Sequence, residues 1–238
     1  MLTSDWTKIH THILELEQKG LVTRTFRRLD PNRQQVVIDA ILEEAVEKGP
    51  ASINIKEVAR RAGVSIGSLY MYFNNREGLL VFATELCIRF MVDMFEMIGP
   101  MLAGMSLSEG LTMYLSGGIE WSKTIAGLIM FFTRAAYQGD PRLGEQVVRP
   151  VADSMRKTIN DMLTQAIARG EVRHDIDLEA TTRVIHALTI AVGDAQLLPY
   201  LNTYFQVVGE DAPPERTLNA MLDLVISGIG KGKKKGKG

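Results

Sequence analysis

The sequence predicts an all-α fold, and three observations carry that prediction. Apolar residues recur at spacings of three and four along almost the whole chain. β-Branched residues are scattered, with no alternating runs between turn signals. Glycine, proline and asparagine fall where the helical stripes stop, as helix punctuation does.

The elements follow in order. Residues 4–19 read as an amphipathic helix opened by Ser4, with Trp6, Ile9, Ile13 and Leu16 on one face and Gly20 as its stop. Asp30-Pro31 opens a helix over 32–48 with the stripe Val37, Ala40, Ile41 and Ala45, and Gly49-Pro50 ends it. Asn54 and Glu57, three apart, resemble a capping box before a short helix over 55–61. Ala62-Gly63-Val64 turns the chain, Ser65 caps a second short helix over 66–73, and Asn74-Asn75 breaks again. Asn75 caps a long helix over 76–98 striped with Leu80, Ala83, Cys87, Phe90, Met94 and Met97, which Gly99-Pro100 is expected to close. Five further helical stretches are expected at 107–121, 124–137, 142–169, 178–198 and 214–229. Pro150 is expected to kink or split the third of these, and Asp177 to cap the fourth. The Lys/Gly tail, 230–238, is of low complexity and expected to be disordered.

Composition narrows the function classes. At 238 residues and 46% hydrophobic the chain can bury a sizeable core, yet no apolar run is long enough to span a bilayer, so no membrane partner is expected. The chain does not open with the basic, apolar and small-residue pattern of a secretory leader. A single cysteine, Cys87, excludes an internal disulfide and suits a reducing compartment, so the expected location is cytoplasmic. Charge is uneven: residues 21–80 carry a small basic excess, residues 81–230 a larger acidic one, and KGKKKGKG closes the chain. That asymmetry suggests two modules with different partners.

The stretch GVSIGSLYMYFNNREGLL, residues 63–80, is the most informative. Two short helices about a glycine turn outline a helix-turn-helix, whose second helix enters the major groove of DNA. Ser65 at the helix start leaves amide groups and dipole facing a phosphate, and Gly67 and Ser68 are small enough for close approach to base edges. Tyr70 and Tyr72 offer hydroxyls, while Leu69 and Phe73 supply the buried face. Arg76, a cation in a first helical turn, is badly placed unless a phosphate neutralises it. Lys56 and Arg60 on the preceding helix add charge on the same side. Arg24, Arg27 and Arg28 form a further candidate phosphate arm, and each cluster also suits an ordinary solvated face. The pattern alone equally fits an aromatic helical corner with a satisfied core.

Residues 33–80, from RQQVVIDAILEEAVEKG through Val58-Ala59, Ala62-Gly63-Val64-Ser65, Gly67-Ser68-Leu69-Tyr70 and Tyr72-Phe73 to the helix start at 76–79, resemble the DNA-binding domain of the TetR family of bacterial transcriptional regulators. The resemblance implies an N-terminal three-helix helix-turn-helix domain and a larger helical domain for ligand binding and dimerisation. It places DNA contacts at Ile66, Gly67, Ser68, Tyr70 and Tyr72, with phosphate contacts from Tyr70, Tyr72 and Arg76. Arg76 stands where the family usually has lysine, and Ala45 where a bulky residue is common, a space Trp6 could fill. Ile66 and Met71 donate no hydrogen bond, which points to thymine methyls or DNA shape for part of the readout.

In the remainder, Met91, Met94, Met97, Met101, Met105, Met113 and Met130 cluster among aromatic residues. Methionine-rich surfaces adapt to varied apolar ligands, although a stripe at helical spacing also suits plain core. The family resemblance implies an effector pocket here, with Met94, Met97, Trp121 and Phe131 as expected wall residues. It also implies a homodimer formed through the last two long helices, where Ala187, Ala191, Gly193 and Ala195 permit close approach. No nucleophile elbow, phosphate loop or HExxH is present, and His10, His12 and the stretch 174–177 lack metal-site spacing, so no catalytic residue, metal or cofactor is expected. The expected organisation is an extension at 1–30, a DNA-binding domain at 31–77, a ligand and dimerisation domain at 78–229 and the tail at 230–238. The function this implies is a repressor, released from a palindromic double-stranded operator by a hydrophobic small molecule. The alternative is a helical binding protein or enzyme that keeps a vestigial helix-turn-helix.

Overall fold

Polar side chains fix where most of the helices begin. A computed structural model describes residues 2–116, 123–209 and 211–231, and among these it contains helices and no strand. Helix α1 (Leu2–Gln18) starts ahead of Ser4, which therefore lies inside its first turn and is not its cap. Thr23 accepts from the Phe26 amide to open α2 (Arg24–Arg27), a single turn that the sequence pattern did not reveal. Asp30 accepts from Arg33 to open α3 (Pro31–Lys48), which Gly49 ends at φ 88°. A 3-10 turn (Pro50–Ser52) leads to α4 (Ile55–Ala62), capped by Asn54, and to α5 (Ile66–Phe73), capped by Ser65. The Asn75 side chain accepts from the Gly78 amide at 2.8 Å and opens α6 (Arg76–Gly104).

A further expectation about a helix end is corrected. Gly99-Pro100 does not close α6, which runs on to Gly104. Proline forfeits one hydrogen bond but keeps a helical φ, and burial of Leu102 and Ala103, two and three residues later, outweighs that loss. Beyond α7 (Leu107–Ser116) and α8 (Lys123–Tyr137), the stretch around Pro150 is split into α9 (Pro141–Leu143), a π turn (Gly144–Val148) and α10 (Arg149–Arg169). The wider π ring shifts the hydrogen-bond register just before the residue that cannot donate. Asp177 accepts from Ala180 at 3.0 Å and opens α11 (Leu178–Leu197). Another short helix, α12 (Pro199–Phe205), precedes α13 (Pro214–Ile229).

Contacts divide the chain into two compact units, residues 1–93 with 120–151, and residues 94–119 with 152–238. In the first, Ile9, Ile13 and Leu16 of α1 are buried as the stripe predicts. Helix α8 packs along α3, and Gly127 allows it: a Cβ there would meet the Leu42 side chain at 3.0 Å. Ala45 is fully buried beside this packing, while the Trp6 side chain lies outside the described residues. Cys87 is also fully buried, its Sγ 3.4 Å from the Leu128 carbonyl, and burial pushes its thiol well up. In the second unit, Leu107 and Leu111 of α7, Ile159, Leu163 and Ala166 of α10, Ile185 of α11 and Leu222 and Val225 of α13 form one core.

Candidate nucleic-acid interface

The candidate interface lies in the first unit and is built from α4, the turn after it, and α5. Gly63 ends α4 in the left-handed region at φ 62°. Its amide donates to the Arg60 carbonyl at 3.3 Å, and the Val64 amide to the Ala59 carbonyl at 3.0 Å, the paired bonds of a Schellman turn. Ser65 Oγ then accepts from the Ser68 amide at 3.0 Å and lies 2.8 Å from Ser68 Oγ. The turn and the Ser65 cap are as the sequence predicts.

The capping box at Asn54 is not. Asn54 Oδ1 accepts from the Lys56 amide at 3.0 Å, but Glu57 does not reach back to the Asn54 amide. That amide donates to Glu44 of α3 at 3.4 Å, because Glu57 is engaged by arginines. Arg60 Nε donates to both Glu57 oxygens at 3.1 and 3.0 Å, and Arg61 Nε to one of them at 3.1 Å. The hydrogen bonds from Arg60, and then those from Arg61, hold the Glu57 carboxyl down to about 2. Arg61 also donates to both Glu47 oxygens at 2.9 and 2.8 Å and lies 3.2 Å from the buried Glu44. This cluster, which bolts α4 to α3, left no signal in the sequence beyond ordinary helix-face charge.

Helix α5 is held by rings. Leu69 and Phe73 are fully buried, and Phe73 sits 5.1 Å from Phe26 and 5.0 Å from Phe82. Tyr72, expected to offer its hydroxyl outward, is only 8% exposed, with its ring 5.5 Å from Phe26. Ile66, Gly67, Tyr70 and Met71 are exposed and Ser68 is half-buried. Met71 is 61% exposed and Tyr70 44%, so the outward face is an apolar and tyrosine surface to which Met71 contributes most. Spacing alone could have placed Met71 there, one turn beyond Gly67.

Around this face Lys56 is exposed and has no ion pair among the described residues, whereas Arg60 is paired. Arg76 is compensated without a phosphate: its Nε donates to the Ile53 carbonyl at 2.7 Å and its Nη2 to the Ala51 carbonyl at 2.6 Å. The guanidinium therefore ties the first turn of α6 to the segment before α4, and only part of its fork stays available. Gly78 is required at the same junction, since a Cβ there would lie 2.1 Å from the Phe73 carbonyl oxygen.

The expected effector-wall residues are not gathered at one described cavity. Phe131 is fully buried in the first unit, while Met94 and Met97 belong to the second and Met97 is 56% exposed. Trp121 lies outside the described residues. Two surface cavities, of about 280 and 330 Å³, lie in the first unit, and none of the four lines either. On α11 and α13, Val184 and Leu224 are exposed, and a Cβ at Gly193 or Gly228 would meet nothing within 4 Å. Ala187 is exposed on α11, but Ala195 is buried within the chain.

A capped helix-turn-helix presented by an all-helical chain defines the class as a DNA-binding transcriptional regulator. Two family models match, "Bacterial regulatory proteins, tetR family" over residues 37–81 and "Tetracyclin repressor-like, C-terminal domain" over residues 105–191, together more than half of the chain. The chain belongs to the TetR family of bacterial transcriptional regulators. Among curated proteins it is 24% identical over 150 residues to the fatty acid metabolism regulator protein of Bacillus subtilis, covering 63% of this chain and 75% of that one. It is 24% identical over 181 residues to the transcriptional regulator SrpR of Pseudomonas putida, covering 71% and 76%. Among solved structures, FadR of Bacillus subtilis in complex with stearoyl-CoA aligns with TM-score 0.56 at 20% identity, over 82% of this chain and 98% of that one. A TetR-family regulator from Chloroflexus aurantiacus aligns with TM-score 0.59 at 18% identity, over 88% and 99%. At these identities the structural likeness speaks for the fold. No helix among the described residues is long and apolar enough to cross a membrane.

Proposed function

We propose that this chain is a dimeric repressor that holds a palindromic operator and releases it when a hydrophobic small molecule binds. The outward face of α5 carries the reading: exposed Tyr70, Met71, Ile66 and Gly67 stand on a helix whose other side is locked by Leu69 and Phe73. A protein with no use for that face would have no reason to leave a large methionine and a tyrosine in water on a rigid helix. Ile66, Gly67, Ser68 and Tyr70 are the proposed groove residues, with Lys56 and the remaining donors of Arg76 at phosphates. Tyr72 and Arg60 act behind them, one in packing and one through its pairing with Glu57.

The proposed dimer uses α11 and α13, where Leu224 is 68% exposed and the glycine positions are open. A twofold protein reads two half-sites about one helical turn apart. The methionine concentration supports an apolar effector, and a stearoyl-CoA complex is known for one fold relative. For release, the effector must prefer the non-binding dimer; a hundredfold preference supplies about 2.7 kcal/mol.

Selection of bound sequences from random duplex DNA at moderate salt tests the reading. One enriched inverted repeat, lost in Tyr70→Ala at unchanged melting temperature and dimer mass, is the expected result. Weak, sequence-independent and salt-sensitive binding would instead favour the vestigial helix-turn-helix. With the operator in hand, long-chain acyl-CoA and other apolar compounds are then screened for release.

A further inference from the structure

The four-residue helix α2 is held far more firmly than its length would allow by itself, since a lone turn has almost no stability. Thr23, just before it, donates its hydroxyl to the Met71 carbonyl at 2.7 Å and its amide to the Tyr72 carbonyl at 3.0 Å. Those are the last turn's carbonyls of α5, which a helix leaves without intrahelical partners. Behind it, fully buried Gln34 of α3 donates Nε2 to the Phe26 and Arg27 carbonyls at 3.2 and 2.9 Å. Phe26 itself is fully buried against Tyr72, Phe73 and Phe82. The turn is thus fixed to the C-terminal end of α5 on one side and to α3 on the other.

Its three arginines differ in a way charge counting could not show. Arg27 is ion-paired with Glu17 of α1 and half-buried. Arg24 and Arg28 are exposed, and among the described residues neither side chain has an ion pair or hydrogen bond. Two unpaired guanidinium groups flank this anchored turn, Arg24 one residue and Arg28 five residues after the Thr23 bonds to the recognition helix, and they match the forked geometry of phosphate contacts.

We propose that α2 is a second DNA-contacting element, in which Arg24 and Arg28 each hold a phosphate of the operator backbone beside the end of α5. The element rests on the DNA-binding reading above. It positions the protein without reading sequence, so its loss weakens operator and unrelated duplex alike. Residues 2–28 are then a working part of the DNA-binding head, with Thr23 setting the register between α2 and α5.

The test is titration of the selected operator and of an unrelated duplex across a series of salt concentrations. For Arg24→Gln/Arg28→Gln, the slope of log affinity against log salt is expected to be shallower by roughly 2 for each bound subunit. Arg27→Gln, which removes one positive charge from the same turn, is expected to keep the wild-type slope. Arg24→Lys/Arg28→Lys is expected to restore most of it, with all melting temperatures close to wild type for the exposed pair. An unchanged slope in the Arg24/Arg28 variant, or an equal loss in Arg27→Gln, overturns the proposal. Wild-type protein that selects no operator overturns the DNA-binding reading instead, so the two failures are distinct.

Discussion

Helices α4 and α5 are each eight residues long and lie on either side of one turn, yet they are anchored by opposite chemistry. Helix α4 carries Lys56, Glu57, Arg60 and Arg61 and is bolted to α3 through Arg61 and its carboxylates. Helix α5 has no charged residue and is held by Leu69, Phe73 and the ring cluster with Phe26 and Phe82. The difference teaches how a head can be rigid and still adaptable in what it presents. Apolar anchoring leaves the outer face of α5 free of fixed charge. Ion-pair anchoring keeps the positive charge of Arg60 and Arg61 on α4 largely neutralised within the protein.

That contrast can be broken from the apolar side first. Phe73→Ala removes a fully buried ring at the centre of the cluster and is expected to cost about 4 kcal/mol in urea unfolding, with operator binding lost as α5 loosens. From the charged side, Arg61→Ala leaves Glu44 buried opposite no cation and is expected to cost about 3 kcal/mol by the same measurement. Were Arg61→Ala neutral, Ile55, Val58, Ala59 and Ala62 would hold α4, and the two helices would share one mode of anchoring.

Smaller effects sharpen the same picture. Ser65→Ala removes the side-chain cap at the junction and is expected to cost about 1 kcal/mol, read as a lower melting temperature. Glu57→Gln is expected to have the least effect, and it should depend on pH. The folded carboxyl is held near 2 against an ordinary 4.5, so its contribution is full above pH 4.5 and is lost as pH falls through 2. Wild type and Glu57→Gln should therefore differ most near neutrality and converge in acid, and melting curves between pH 7 and pH 3 would show whether the gap narrows.

Much of the head was legible because its signals are local. Ser65 and Asn75 cap the helices that follow them, Gly63 makes the left-handed turn, and the Leu69–Phe73 spacing marks the buried side of α5. Where sequence reasoning missed, a distant partner had intervened. Glu57 is not the capping-box partner of Asn54 because Arg60 and Arg61 take its carboxyl, and Glu44 fills that role from another helix. Arg76 needs no phosphate to offset the helix dipole because carbonyls at residues 51 and 53 accept its donors. Tyr72 is drawn inward by Phe26, which lies 46 residues earlier on a turn that periodicity is too short to detect.

The sequence by itself determined the helical class, the motif and its turn, and the residue types available to DNA, because propensity, capping and spacing act within a few residues. Only the tertiary structure decided which of those residues face outward and which cations remain unpaired. Exposure and ion pairing depend on what packs against each side chain, and here those neighbours come from α1, the start of α2 and α3, between ten and 48 residues away in the chain.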